Sequence, residues 1–165
     1  MTRGPVNILF LCVGNSARSI LAEAILSRDG GGRFRAFSAG IQPRGQIHPL
    51  TRELLATLGM STHGLRCKGV QEFAGTEAPA MDAVISVCDE TAADAFPALP
   101  GSPVTAQWRV PDPAAIDWDD AASRAAFLDA YRSLHARIAR LVALPFGTMD
   151  RETLRDRLEE IGKTA

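Results

Sequence analysis

A cysteine at position 12 is followed by Val13, Gly14, Asn15, Ser16 and Ala17, and then by Arg18 and Ser19. These residue types at this spacing suit a nucleophile held in an oxyanion cradle. The amides of a loop that enters a helix converge on one point and hold an anion. A thiol placed there is expected to have a lowered pKa and to react as thiolate. Gly14 lets the backbone approach a ligand closely, and Asn15 tolerates left-handed dihedrals. Arg18 offers a planar fork to two oxygens of a tetrahedral anion. Ser19 can donate its hydroxyl to the sulfur. A buried strand-end cysteine beside a solvated helical arginine would show the same letters, so the flanking elements must decide.

They favour the cradle. Ile8 to Leu11 is an uninterrupted apolar run, as in a strand buried on both faces of a parallel sheet. From Ala17 the period becomes helical, with Ala17, Ile20, Leu21, Ala24 and Ile25 on one face. The thiol therefore sits where a strand ends and a short loop leads into a helix.

The rest of the chain continues the alternation. The first helix runs to about Arg28 and stops at Gly30-Gly31-Gly32. Arg33 to Ser38 reads as an edge strand, and Ala39 to Gly45 as a loop. A helix over 48–58 buries Leu50, Leu54, Leu55 and Leu58. Residues 60–79 are a connection with one helical turn near Gln71 to Ala74. Met81 to Val87 is the third strand, with Cys88 at its carboxyl end. Thr91 to Phe96 reads as a short helix, Val104 to Val110 as the fourth strand, Ala121 to Leu144 as the longest helix, and Met149 to Ile161 as a charged terminal helix. Phe127, Tyr131, Leu134, Ile138 and Leu141 form the stripe of the longest helix. This pattern predicts one domain over residues 1–165, α/β in class, with a parallel sheet and helices on both faces. Ligands bind such sheets beyond the carboxyl ends of the strands, where Cys12, Cys88 and the loop at Asp112 all fall.

Composition narrows the functions. A net charge of −1 offers no field for nucleic acid or an acidic membrane surface. No apolar run approaches the roughly 20 residues of a membrane span, and no signal peptide is recognisable. Cys12, Cys67 and Cys88 are odd in number and widely spaced, which points to a reducing cytoplasm rather than a disulfide framework. His48, His63 and His135 have no metal-ligand spacing, so no bound metal or cofactor is expected.

Asp112 lies between two prolines, which fix the loop that carries it. Leaning over an anion site, it would suit a general acid; the simpler alternative is a turn aspartate. Cys88 is either a buried strand cysteine or a thiol within reach of Cys12. Trp108 and Trp118 flank the Asp112 loop and either wall the site or serve packing. Arg33, Arg35 and Arg44 form either an anion-attracting face or a solvated edge, and the edge is the favoured expectation.

C-V-G-N-S-A-R-S from Cys12, F-S-A-G from Phe37, H-P-L from His48, V-C-D-E from Val87 and W-R-V-P-D-P from Trp108 resemble the low-molecular-weight protein-tyrosine phosphatase superfamily. Within it the chain is more similar to the arsenate reductases coupled to thioredoxin than to the phosphatases. The resemblance implies a four-stranded flavodoxin-like sheet of order 2-1-3-4. It implies Cys12 as nucleophile, Arg18 as oxyanion clamp, Asp112 as general acid and Cys88 as second redox cysteine, reducing arsenate through a cysteine–arsenate adduct and a Cys12–Cys88 disulfide. A phosphotyrosine phosphatase with a phosphocysteine intermediate is the alternative, and a non-catalytic oxyanion or redox sensor is a further one. Glu23 and Ser38 match positions that support the anion loop, and bind potassium, in some relatives; a solvated or capping role is the alternative. Those reductases carry a third cysteine eight positions after the second, where this chain has Phe96. Cys67 is a spare thiol, either a substitute for it or a bystander. Without the third cysteine an external thiol, glutathione with glutaredoxin or thioredoxin, must resolve the disulfide.

Overall fold

The sheet forms around the apolar run expected first. β1 (Val6–Cys12) lies between β2 (Phe34–Gly40) and β3 (Ala83–Cys88), and β4 (Val104–Val110) closes the far edge. The order is β2-β1-β3-β4 with every pairing parallel. The computed structural model describes residues 4–88, 99–115 and 120–163. The expected helix over 91–96, Phe96 itself and Trp118 lie outside them.

Alternation along β1 builds two layers. Ile8, Phe10 and Cys12 point into the main core, with α1 (Arg18–Asp29), α3 (Asp120–Val142) and α4 (Arg151–Gly162). Leu9 and Leu11 point the other way, into a smaller cluster with Val70, Phe73, Met81 and Val84. A 3-10 turn over Val70–Phe73, close to the expected turn, covers that side. Trp108 is fully buried, and its indole donates to the Leu158 carbonyl at 2.9 Å, joining β4 to α4. It serves packing rather than walling the site.

Local chemistry sets the ends. The Gly30 amide closes α1 on the Leu26 carbonyl at 2.7 Å. The Asp150 side chain caps α4 through the Thr153 amide at 2.7 Å. The second strand extends to Gly40, two residues beyond the expected end at Ser38, because Leu11 and Cys12 continue to pair with Ala39 and Gly40. α2 (Pro49–Thr57) buries Thr51 and Leu55, whereas Leu58 is exposed. The expected leucine stripe is therefore too wide, and a threonine takes part of its place. Among the described residues, no helix is long and apolar enough to cross a membrane.

Candidate active site

Cys12 ends β1 and is buried with Asn15, Ser16, Arg18 and Ser19. The loop from Val13 to Ala17 turns at Asn15, whose φ of 48° is left-handed. Its carbonyls are tied outward to the segment between β2 and α2. Ile41 N donates to Cys12 O at 3.1 Å, Gln42 N to Val13 O at 2.8 Å, and Arg44 N to Gly14 O at 3.0 Å. Ser16 O accepts from His48 N at 3.0 Å and from Thr51 Oγ1 at 2.9 Å. With the carbonyls drawn away, the loop can turn amides to the sulfur, and Asn15 N donates to Cys12 Sγ at 3.2 Å. Gly40 permits this packing: a Cβ there would meet Val13 O at 2.7 Å. The first turn of α1 has no side-chain cap, since Ala17 stands at the N-cap. That is the arrangement an anion completes.

Ser19 Oγ lies 2.8 Å from Cys12 Sγ. The Asn15 amide nitrogen donates to Ser19 Oγ at 2.8 Å and to Ser38 Oγ at 3.1 Å. Ser38 Oγ donates to Glu23 Oε1 at 2.5 Å. Ser19 thus receives a proton from Asn15 and has its own left for the sulfur. The expectation of a lowered Cys12 pKa is not met. Burial pushes the thiol above its ordinary value, against the opposing pull of the Ser19 hydroxyl, the amides of Ser19 and Asn15, and the Arg18 charge. The physical reason is desolvation, which the position of a cysteine in a sequence does not reveal.

Arg18 is 4% exposed and reaches across to β4, donating to the Val110 carbonyl at 3.0 Å and standing 3.8 Å from Asp112 Oδ2. Asp112 Oδ1 accepts from the Ala114 amide at 2.9 Å, which fixes the carboxylate over the site. Asp112 is therefore a turn residue whose second carboxylate oxygen faces Arg18. Arg44 is 55% exposed, as a solvated edge requires, yet its side chain lies over Gly14 and its guanidinium is 4.0 Å from Asp112 Oδ2, closer to the site than the edge reading placed it. Arg33 stays at the edge, donating to the Val142 carbonyl and stacking over Phe34. His48, which caps α2 through Nδ1, has its pKa pushed down by burial and then by Arg44, against an upward pull from Asp112.

Cys88 ends β3, the strand next to β1, and is buried with its sulfur 3.2 Å from Ser86 Oγ. The β3–β4 register shifts between Ser86 and Cys88, so that Cys88 lies opposite Val110, whose carbonyl holds Arg18. Cys12, Cys67 and Cys88 are all free thiols. Cys67 is half-buried and donates to Gly14 O at 3.3 Å. Next to it is Lys68, a buried lysine that sequence reading passed over in a polar connection. Its amide donates to Asn15 Oδ1 at 2.8 Å, and its ammonium lies among Arg66 O, Ser38 Oγ and Glu23 Oε1. Among the described residues, no group of three His, Cys, Asp or Glu side chains is arranged to hold a metal ion.

This geometry has relatives. An arsenate reductase of Halalkalibacterium halodurans is 30% identical over 120 residues, covering 73% of this chain and 83% of that protein. A solved arsenate reductase of Archaeoglobus fulgidus shares the fold, with a TM-score of 0.63 at 24% identity over 83% of this chain and 99% of the other. A thioredoxin-dependent arsenate reductase of Corynebacterium glutamicum superposes with a TM-score of 0.61 at 26% identity, over 86% of this chain and 62% of the other. The family profile described as low molecular weight phosphotyrosine protein phosphatase matches residues 7–153, and the chain belongs to that family.

Proposed function

We propose that this chain is an arsenate reductase that works through a cysteine–arsenate adduct and a Cys12–Cys88 disulfide. The observation that carries the reading is a pair of buried free cysteines at the carboxyl ends of adjacent parallel strands, the first of them inside an anion loop. A phosphatase has no use for the second.

Burial favours the neutral Cys12 thiol, so its proton passes to an arsenate oxygen as the sulfur attacks. The sulfur attacks As(V): an S–As bond forms, an As–O bond breaks, and water leaves with a proton that Asp112 can donate. Arg18 and the loop residues Val13, Gly14, Asn15, Ser16, Ala17 and Ser19 hold the oxygens and the sulfur in place. Cys88 then leaves Ser86, gives its proton to an arsenic-bound oxygen and attacks Cys12 Sγ. The S–S bond forms, the S–As bond breaks, and the electron pair stays on arsenic, which departs as arsenite, As(III). The cycle closes when an external thiol returns two electrons and two protons. Phe96 offers no sulfur to relay the disulfide outward, which favours glutathione with glutaredoxin over thioredoxin. On this reading Phe96→Cys raises thioredoxin-supported turnover. The free thiols favour a reducing cytoplasm as the place of action.

Hydrolysis of an aryl phosphate is the second reading, favoured by Asp112 standing 3.8 Å from Arg18, where it can protonate a leaving phenol. The deciding assay is steady-state turnover with arsenate and each thiol donor, beside a phenyl phosphate ester, followed by mass mapping of protein trapped after one turnover. Arsenite release with a Cys12–Cys88 disulfide is expected. Ester hydrolysis without arsenate-dependent thiol oxidation would overturn the reductase.

A further inference from the structure

The potassium ion implied by the resemblance at Glu23 and Ser38 does not fit this chain. Lys68 Nζ already stands 3.5 Å from Glu23 Oε1 and 3.4 Å from Ser38 Oγ, and it donates to Arg66 O at 3.0 Å. A cation placed among the same oxygens would be in contact with the ammonium. We infer that Lys68 is a positioning residue for the nucleophile loop, a covalently tethered cation that makes the anion site independent of monovalent metal ions.

The argument runs along the proton directions. Glu23 is a carboxylate largely shielded from water, and such a charge needs a partner. Lys68 supplies it, while Ser38 donates its hydroxyl proton to the same carboxylate. Ser38 Oγ is then an acceptor, and it receives one Asn15 N–H at 3.1 Å. The other N–H goes to Ser19 Oγ at 2.8 Å. The Lys68 backbone amide fixes the opposite end of the Asn15 side chain, at Oδ1. Two groups of one residue thereby orient Asn15, which in turn leaves the Ser19 proton to the Cys12 sulfur. The Lys68 carbonyl accepts from Gly40 N at 2.9 Å, so the same residue ties the loop to the end of β2. Removing the ammonium frees Ser38 to turn and loosens the Asn15 amide. Glu23 also lines a cavity of about 390 Å³ with Met60, Ser61 and His63, which gives a small soluble cation a route to the carboxylate.

The inference concerns the loop's own hydrogen bonds and does not depend on which oxyanion is turned over. The test is alkylation of Cys12 by iodoacetamide, with inorganic phosphate as protectant, at constant ionic strength in potassium, ammonium or tetramethylammonium chloride. Thermal melting is followed in parallel. Wild type is expected to show the same protection constant in all three salts. Lys68→Ala is expected to bind phosphate roughly 10-fold more weakly in tetramethylammonium, the scale for losing a charge-assisted hydrogen bond, and to regain affinity and melting temperature in ammonium or potassium. Lys68→Arg keeps a cation of different shape and is expected to fall between the two without salt rescue. Potassium dependence in wild type, or a Lys68→Ala protein that matches wild type in tetramethylammonium, would overturn the inference. So would a loss in Lys68→Ala that neither cation repairs, since the side chain would then serve packing alone.

Discussion

Cys67 donates its thiol to the Gly14 carbonyl at 3.3 Å, from the β2 side of the loop, whereas Cys88 ends β3 on the other side of β1. Lys68, the next residue, bonds Gly40 at the end of β2, which fixes that side. Cys67 and Cys88 are therefore separated by β1, the strand that carries Cys12. Cys67→Ser is expected to leave turnover with every donor unchanged. A Cys67–Cys88 disulfide in the mass map after one turnover would contradict this.

Cys12 should ionise late. Its folded-state pKa is raised from 9.0, so the folded state favours the neutral thiol. The stability this contributes is complete below about pH 9 and is lost as pH rises through the folded-state value. Alkylation of Cys12 is expected to rise with pH later than that of free cysteine, and Ser19→Ala should delay it further. Cys12→Ser should unfold less readily than wild type as pH climbs above 9. An alkylation midpoint below that of free cysteine would show that the loop outweighs burial.

Asp112→Asn keeps the turn, because an amide oxygen can still accept from Ala114 N. It cannot donate a proton as an acid does. If the protein cleaves phosphate esters, the substitution should slow a poor leaving group by roughly 10²–10⁴-fold and a good one much less. Equal rates with both esters would reduce Asp112 to a turn residue.

Gly40→Ala sets a methyl against a backbone carbonyl, 2.7 Å from Val13 O and 3.0 Å from the Asn15 amide nitrogen. Backbone on both sides leaves the loop to move. The protein is expected to stay folded, since the clash lies at the end of an edge strand, but to lose phosphate protection of Cys12. Far-UV circular dichroism and the protection assay separate the two effects, and unchanged protection would show the loop to be more compliant than its contacts suggest.

Much of this was legible in the sequence because it is local. The strand–loop–helix around Cys12, the alternation that gives a parallel sheet and the bounds of β4 follow from runs and periods of a few residues. What escaped depends on distant partners. Thr51 is buried because the Ser16 carbonyl needs a donor, and no helical period marks that need. Arg44 and Lys68 belong to irregular segments without periodicity, so only the folded chain shows one lying over Gly14 and the other behind Asn15. The upward shift of Cys12 is likewise a sum over everything that excludes water from it.

The uncapped first turn of α1 makes resilience track the oxyanion content of the medium. An anion held at 100 times its dissociation constant adds about 2.7 kcal/mol to the folded state. Phosphate and arsenate share shape and charge, so a seat built from amides and one guanidinium cannot tell them apart by much. Where phosphate is present, it then competes with arsenate for the same seat. Discrimination falls to the next event. A thiol that attacks Cys12 can draw the sulfur away from arsenic because As(V) accepts the electron pair, while phosphorus under the same attack does not. Selectivity on this scaffold is thus a matter of reducibility rather than of fit.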